Sequence, residues 1–498
     1  MTPRDLCQAG ATELHDSFLR RALSPVEVVD ATLRRIQEVD DRLGAFVSLY
    51  EDEARQRAQE CERIYMTTDQ PPPLCGIPIA IKDCESIAER ITTFGVPALA
   101  RYVAGSTSVQ AERVISAGAV AIGKTNMPPL GYAGVTDNRL FGPTSTPYGL
   151  GYNAGGSSGG SAAAVGAELV PLAVGSDGGG SLRMPAALCG VVGFKATFGV
   201  IPSGAVGDSF STHNPFMVTG PMGRSVADVR MLAQVMQGIH ALDPFSVPAG
   251  AVNWRGQEAG VKGLRVAYSP RLGAAAAQSD VADVVRDAAL LLASAGAHVD
   301  ETEIPTGAST DALCNCWRLH DGTGQLHGMQ RLLAEGFDVL ASPNDLPMEL
   351  VADVAAAHSA TSDEYRVAAD TRSLALAALE RAFTAFDLIM TPTVSIDGIP
   401  NGHRGGTRGP TDIDGVPIDS FFLGWAHTAV LNLTGHPAAS VPVGFSARGL
   451  PVGMQVIGRR FDDGSVLQAC EVIEELVRDR GKEPVSTRAD SVWNLACQ

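Results

Sequence analysis

The stretch that decides the fold is Gly155-Gly156-Ser157-Ser158-Gly159-Gly160-Ser161, followed by Gly178-Gly179-Gly180-Ser181-Leu182-Arg183. Two serines stand in glycine-rich turns, and a lone lysine, Lys82, ends the apolar run Ile77-Pro78-Ile79-Ala80-Ile81 upstream. Glycine lacks Cβ, so it reaches positive φ and lets backbone N–H groups crowd around one point. N–H groups converging beside a serine hydroxyl form the arrangement needed to attack a carbonyl and hold the oxyanion that results.

Working outward, short β-branched runs alternate with helical stretches from Gly76 onward. The runs are Ile77–Ile81, Ala119–Ile122, Val170–Val174, Leu264–Tyr268, Asp387–Met390 and Val452–Ile457. Helices are predicted near 107–117, 160–168, 225–238, 279–295, 363–385 and 464–478, with start signals at Ser225 and Ser279. This alternation predicts an α/β fold built on a mainly parallel central sheet. Upstream, Ser24-Pro25-Val26-Glu27 is a capping box opening an amphipathic helix over 25–39, and a second helix is expected near 50–65. Pro71-Pro72-Pro73 closes this helical N-terminal region. Segment 396–419, rich in Gly, Pro and Asp, reads as a long surface loop.

Composition narrows the function. The chain has 498 residues, 45% of them hydrophobic, and a net charge of −17, which disfavours a nucleic-acid binder. No apolar run reaches the roughly 20 residues of a membrane span, and no secretory leader opens the sequence. Nine cysteines without a tight pattern read as reduced thiols of a cytoplasmic protein. Cys314-Asn315-Cys316 reads as a buried thiol pair. Without paired CxxC or HExxH motifs, neither a metal nor a cofactor is expected.

Ser181 is the predicted nucleophile, and a serine hydroxyl needs a base. The histidines are His15, His213, His240, His298, His320, His327, His358, His403, His427 and His436, of which His436, in Gly435-His436-Pro437, has the best context. Lys82 is the alternative: at the carboxyl end of a buried strand, desolvation disfavours its ammonium form and leaves an amine able to take a proton.

Three formal motif matches are set aside. Gly118 to Thr125 fits the phosphate-loop spacing, but its variable positions are strand formers, so the strand falls inside the motif. Gly149 to Ala154 fits a dinucleotide fingerprint loosely and follows no strand. Gly155-Gly156-Ser157-Ser158-Gly159 fits a hydrolase nucleophile elbow, which would make Ser157 the nucleophile and ignore Ser181 and Lys82.

Together, Lys82, the Gly155–Ser161 run and Gly175-Ser176-Asp177-Gly178-Gly179-Gly180-Ser181-Leu182-Arg183 resemble the amidase signature family. The similarity extends through Gly123-Lys124-Thr125-Asn126, Cys189-Gly190 to Lys195, and Thr434-Gly435-His436-Pro437-Ala438, most of the chain. The resemblance implies a single amidase domain over 1–498, an α/β/α sandwich with a mixed, mainly parallel sheet. Within it, 1–70 is helical, 76–240 is the catalytic core and 305–425 is a variable pocket region. It implies a Ser-cisSer-Lys triad with Ser181 as nucleophile, Ser157 as bridge across a cis Gly156–Ser157 peptide, and Lys82 as base. Gly178, Gly179 and Gly180, with the Ser181 N–H, match the oxyanion hole. Ser158, Asp177 and Arg183 match supporting positions.

Two departures stand out: Cys84-Glu85 follows Asp83 where many relatives carry Asn, and Gly178 replaces a common threonine. The implied activity is hydrolysis of a small apolar or aryl amide, with esters or carbamates as side substrates. The rival readings are the A subunit of a tRNA-dependent amidotransferase and a non-catalytic binding relative. The implied partner is a small-molecule amide, without nucleic acid or membrane, in a homodimer. Specificity is expected from 126–148 and 310–425, where Tyr132, Phe141, Trp317, Phe421, Phe422 and Trp425 are candidate pocket aromatics.

Overall fold

The structure, a computed structural model, describes residues 3–204, 216–274, 276–418 and 424–480. Within these, one sheet holds eleven strands. They are β1 (Phe46–Leu49), β2 (Pro78–Lys82), β3 (Val120–Thr125), β4 (Leu172–Asp177), β5 (Val192–Lys195) and β6 (Val218–Gly223). The remainder are β7 (Arg265–Tyr268), β8 (His298–Glu301), β9 (Leu388–Pro392), β10 (Ala438–Phe445) and β11 (Pro451–Gly458). Their spatial order is β1-β3-β2-β4-β6-β5-β10-β11-β9-β7-β8.

The sheet is mixed, as expected. Parallel pairing forms two blocks, β3-β2-β4 and β9-β7-β8. The junctions between and beyond these blocks are antiparallel. Parallel character is therefore a property of the two blocks and not of the sheet's middle.

Strands β2, β6, β9 and β11 are buried at every residue, which requires cover on both faces. Six helices bear on the site: α1 (Gly159–Gly166), α2 (Arg183–Cys189), α3 (Thr310–Ala334), α4 (Met348–Ser359), α5 (Ser362–Ala385) and α6 (Ala426–Thr434). A Cβ at Gly453 of β11 would meet Ala187 of α2, and one at Gly458 would meet Val466 of the helix Asp463–Asp479. Positions five apart point to opposite faces of a strand, so the two helices sandwich β11. The three-layer α/β/α arrangement follows.

The capping box at Ser24 forms: Ser24 Oγ accepts from the Val26 N–H at 3.1 Å and Glu27 Oε2 from the Ser24 N–H at 3.0 Å. The helix it opens runs to Leu43 and stops at Gly44, whose φ of 68° is left-handed. Ser225 caps as predicted, accepting from the Asp228 N–H. Ser279 does not cap. It is the first residue of its helix, and Gln278 precedes it without a side-chain cap bond.

Segment 396–419 departs from an exposed loop. Ile396, Ile399 and Ile413 join a buried cluster, and Asp412–Ile413 pairs with Val416–Pro417 as a small hairpin. Asp137 pins the segment by accepting from the N–H groups of Gly405 and Thr407 and the Thr407 hydroxyl, at 2.8, 2.9 and 2.7 Å. The buried carboxylate gives the loop a fixed anchor that its composition hides. Residue 419, like His213, Phe421 and Phe422, lies outside the described residues.

Candidate active site

Lys82 is the last residue of β2, and β2 pairs in parallel with β4 through Ile81 and Val174. This register carries Ser176, near the end of β4, to the lysine. Lys82 Nζ lies 2.7 Å from Ser157 Oγ and 2.8 Å from Ser176 Oγ. The lysine is fully buried, and burial lowers its pKa despite the opposing pull of Cys84, Glu85 and Asp177. The structure thus brings Lys82 and Ser157 together. Ser176 is missed by the sequence reading, although the parallel register of β2 and β4 is the signal that finds it.

Ser157 follows a cis Gly156–Ser157 peptide. Gly156 is packed so tightly that a Cβ would stand 2.7 Å from the backbone oxygens of Ala133 and Val135. Ser158 Oγ donates to the Ser176 carbonyl at 3.1 Å and accepts from the Ser176 N–H at 3.2 Å, tying the Ser157 turn to the end of β4. The Ser158 N–H donates to the Ser181 carbonyl at 3.3 Å, linking the two serine turns directly.

The glycine loop is held from both sides. Trp317 of α3 donates its indole N–H to the Gly178 carbonyl at 2.7 Å, and Thr428 of α6 donates its hydroxyl to the Gly179 carbonyl at 2.6 Å. A trans peptide points its C=O and the next N–H in opposite directions, so fixing each carbonyl aims the following N–H. The Gly179 N–H is turned away from Trp317. The Gly180 N–H is turned away from Thr428 and donates to Asp177 Oδ1 at 2.6 Å. Gly180 therefore departs from its expected place in the oxyanion hole: its donor is already engaged. Its role is conformational, with φ of +125° and no room for a Cβ, which would lie 2.2 Å from Thr428 Oγ1. Gly178, Gly179, Ser157 and Ser181 face one cavity.

Beneath the loop, Arg183 grips Asp177 in a fork, with Nε to Oδ2 and Nη2 to Oδ1 both at 2.9 Å. Arg183 also donates to Gln455, to Asn432 and to the Thr428 carbonyl, at 2.7, 2.6 and 2.9 Å. Both charges are fully buried. Burial alone would raise the Asp177 pKa; the Arg183 guanidinium, the Asn432 amide and Lys195 outweigh it and bring it to about 2. The pair holds the Gly180 and Leu182 N–H groups, 2.6 and 3.2 Å from the carboxylate, and so fixes the loop's backbone.

His436 is not a base here. It is fully buried, bonded through Nδ1 to Thr434 Oγ1 at 2.9 Å and stacked on Phe383, and burial lowers its pKa to about 3. Lys124 of the phosphate-loop match lies within β3, its Nζ 2.5 Å from the Glu85 carbonyl and 3.7 Å from Asp83.

The cavity has a volume of about 1020 Å³. Of the predicted aromatics, Tyr132, Trp317 and Trp425 line it, while Phe141 does not. Phe94, Tyr102 and Phe216 line it unforeseen, because they lie outside the segments expected to hold the pocket. The cysteine pair divides: Cys316 is buried with Sγ 3.3 Å from the Ala368 carbonyl, whereas Cys314 lines the cavity. Among the described residues, no three metal-ligating side chains gather, and no helix is long and apolar enough to cross a membrane.

Known proteins resemble this chain in sequence and fold. The sequence model of the family described as Amidase matches residues 27–467. The chain is 33% identical to an acylamidase of Rhodococcus erythropolis, over 98% of this chain and 99% of that protein. It is 32% identical to the A subunit of the glutamyl-tRNA(Gln) amidotransferase of Geobacillus stearothermophilus, over 95% of this chain and 98% of that one. Its fold superposes with a TM-score of 0.89 on a bacterial aryl acylamidase of the amidase signature enzymes, 31% identical, covering 96% of this chain and 98% of that structure. The same comparison gives 0.82 and 26% for 6-aminohexanoate cyclic dimer hydrolase, covering 96% of this chain and 99% of that structure. The chain belongs to the amidase family and is an amidase, a hydrolase of amide C–N bonds.

Proposed function

We propose that this amidase works through a Ser181–Ser157–Lys82 relay and an acyl-enzyme, on small amides whose acyl or amine part is apolar or aromatic. The carrying observation is the buried 2.7 Å contact between Lys82 Nζ and Ser157 Oγ, in the wall of a cavity that also receives Ser181. Lys82, neutral in the resting enzyme, takes the Ser157 proton as Ser157 takes that of Ser181. The Ser181 oxygen forms a bond to the substrate carbonyl carbon, and the carbonyl π pair moves onto oxygen. The N–H groups of Gly178, Gly179 and Ser181 hold this oxyanion, each such donor lowering the barrier by about 3 kcal/mol. As the tetrahedral centre collapses, the C–N bond breaks and Ser157 returns a proton to the leaving amine. Water then attacks the ester by the reverse relay, releasing the acid and restoring Ser181.

The aromatic wall of Tyr132, Trp317, Trp425, Phe94 and Phe216 supports an apolar or aryl group as the bound part. The 32% identity to the amidotransferase chain supports the second reading, ammonia release from glutamine for a partner complex. A turnover panel of aliphatic amides, anilides, aryl esters, carbamates and glutamine, run with wild type and Ser181→Ala, decides between them. Anilide turnover that disappears in the variant is the expected result. Hydrolysis of glutamine alone transfers the case to the second reading, and full activity in Ser181→Ala overturns the relay.

A further inference from the structure

Helix α3 presents one face to the cavity through Cys314, Trp317, Asp321, Gly324 and Gly328. The spacing of three and four residues is that of a single helical stripe, rising about 6 Å every four residues. Its near end is fixed, because the Trp317 indole is bonded to the Gly178 carbonyl of the loop beside Ser181. Asp321 stands one turn farther along the same face.

Three glycines interrupt this helix, and each weakens it relative to alanine. Gly322 is explained by packing: a Cβ there would lie 2.5 Å from the Asp353 backbone oxygen of α4. Gly324 and Gly328 are not, since a Cβ at either meets nothing within 4 Å. They keep the cavity wall bare where a side chain would fit, leaving room along the stripe beyond Asp321.

Asp321 is a buried carboxyl of that wall, with 6% exposure, and Arg318, His320, Gln325 and Arg331 of the same helix also line the cavity. Its neighbour Asp353 is fully served, accepting from Arg318 Nε at 2.7 Å and from the Tyr132 hydroxyl. Asp321 Oδ2 has no hydrogen-bond partner among the described residues. Arg318 pairs through Nε with Asp353, and no ion pair to Asp321 is found among the described residues. Burial, and secondarily the charge on Asp353, push the Asp321 carboxyl up to about 7, against the opposing contact of Gln325. A buried carboxyl that lacks a counter-charge favours a ligand that supplies one.

Resting on the amidase reading above, we propose that Asp321 is a specificity-determining residue that receives an ammonium group at the far end of the substrate, the intervening chain lying along the bare Gly324–Gly328 wall. The preferred substrates are then amides carrying a primary amine on an alkyl or arylalkyl arm. Asp321 acts in recognition and takes no part in the proton relay.

The test uses matched anilides in a series of chain lengths, each ω-aminoacyl anilide paired with the alkanoyl anilide of equal length. Turnover is measured with the wild type, and binding is measured calorimetrically with the full chain carrying Ser181→Ala. At the best length, the amine-bearing member is expected to win by roughly tenfold to a hundredfold, the range of a charge-assisted hydrogen bond in a dry site. Asp321→Asn should collapse this ratio and Asp321→Leu should invert it. A ratio taken within one preparation is insensitive to the folded fraction, so weakened folding does not obscure the answer. Equal affinity for both members at every length, binding of neither, or a preference that survives both substitutions overturns the proposal. Preferential binding to the Ser181→Ala chain without anilide turnover by wild type would leave this inference standing and overturn the catalytic reading instead.

Discussion

Lys82 Nζ lies within hydrogen-bond distance of both Ser176 Oγ, at 2.8 Å, and Ser157 Oγ, at 2.7 Å. A neutral amine has two N–H groups and one lone pair. With one N–H committed to Ser176, the lone pair is free to face the Ser157 hydroxyl, whose proton it takes in the proposed relay. Ser176 is in this view a positioning residue. Ser176→Ala is expected to lower kcat by roughly tenfold, the scale of one hydrogen bond to a charged or charging group. KM should change little. Because the Ser176 oxygen also stabilises the ammonium form, its loss should move the acid limb of the kcat/KM profile to lower pH, a shift that a merely structural role would not produce.

The acid limb itself follows from Lys82. Burial holds its pKa below the usual lysine value. The sign follows from the proposed role: a base must be neutral, so activity is expected above the Lys82 pKa of the folded enzyme and lost as pH falls through it. A rate profile flat from acid to neutral pH, with the enzyme still folded by circular dichroism, contradicts the relay. Lys82→Ala should cost roughly 10³-fold or more in kcat.

Thr428 tests the glycine loop without touching the cavity wall. Its hydroxyl is 2.6 Å from the Gly179 carbonyl and 2.8 Å from the Trp425 carbonyl. Thr428→Val keeps the shape and removes the donor. Steady-state kinetics should show kcat reduced by about tenfold, as expected for a loosened oxyanion site, with KM nearly constant. An unchanged kcat would mean that the Asp177 and Trp317 contacts hold the loop without Thr428.

Arg183→Met should be among the most damaging changes in the chain. It leaves Asp177 buried and unpaired, a situation that costs about 3–5 kcal/mol. In wild type the Asp177 pKa is about 2, below the unfolded value, so its contribution is complete above the unfolded carboxylate pKa and lost as pH falls through about 2. In the variant the sign reverses: the carboxyl is held above its unfolded pKa, and stability should rise as pH falls into the acid range. Thermal melts of Arg183→Met across pH, with Asp177→Asn added in a double variant, check both the loss and its partial recovery.

Much of this is readable from local chemistry. The apolar run before Lys82, the two glycine–serine turns and the capping box at Ser24 each carry their meaning in a few adjacent residues, because strand burial, positive φ and first-turn hydrogen bonds are local. Helices α3, α4 and α6 are not legible in that way. Helix α3 carries Gly, His, Asp and Arg among its apolar residues, because one side faces a cavity and not a dry core, so no clean apolar stripe marks it. Strands β5, β6 and β10 escape notice because Gly and Pro interrupt them, as in Val218-Thr219-Gly220-Pro221-Met222-Gly223.

The sequence by its own chemistry singled out the groups of the proposed relay: a lysine at a buried strand end and two serines in glycine turns. The tertiary structure decided which donors remain free to act. Gly180 looks equivalent to Gly178 and Gly179 in the sequence, yet its N–H belongs to Asp177, whose carboxylate is held by Arg183 and Asn432. Ser176, Trp317 and Thr428 come to the site from β4, α3 and α6, and Arg318 is bonded to Asp353 while no ion pair to Asp321 is found among the described residues. A hydrogen bond given to one acceptor is withheld from another, and that allocation is fixed only when distant segments pack together.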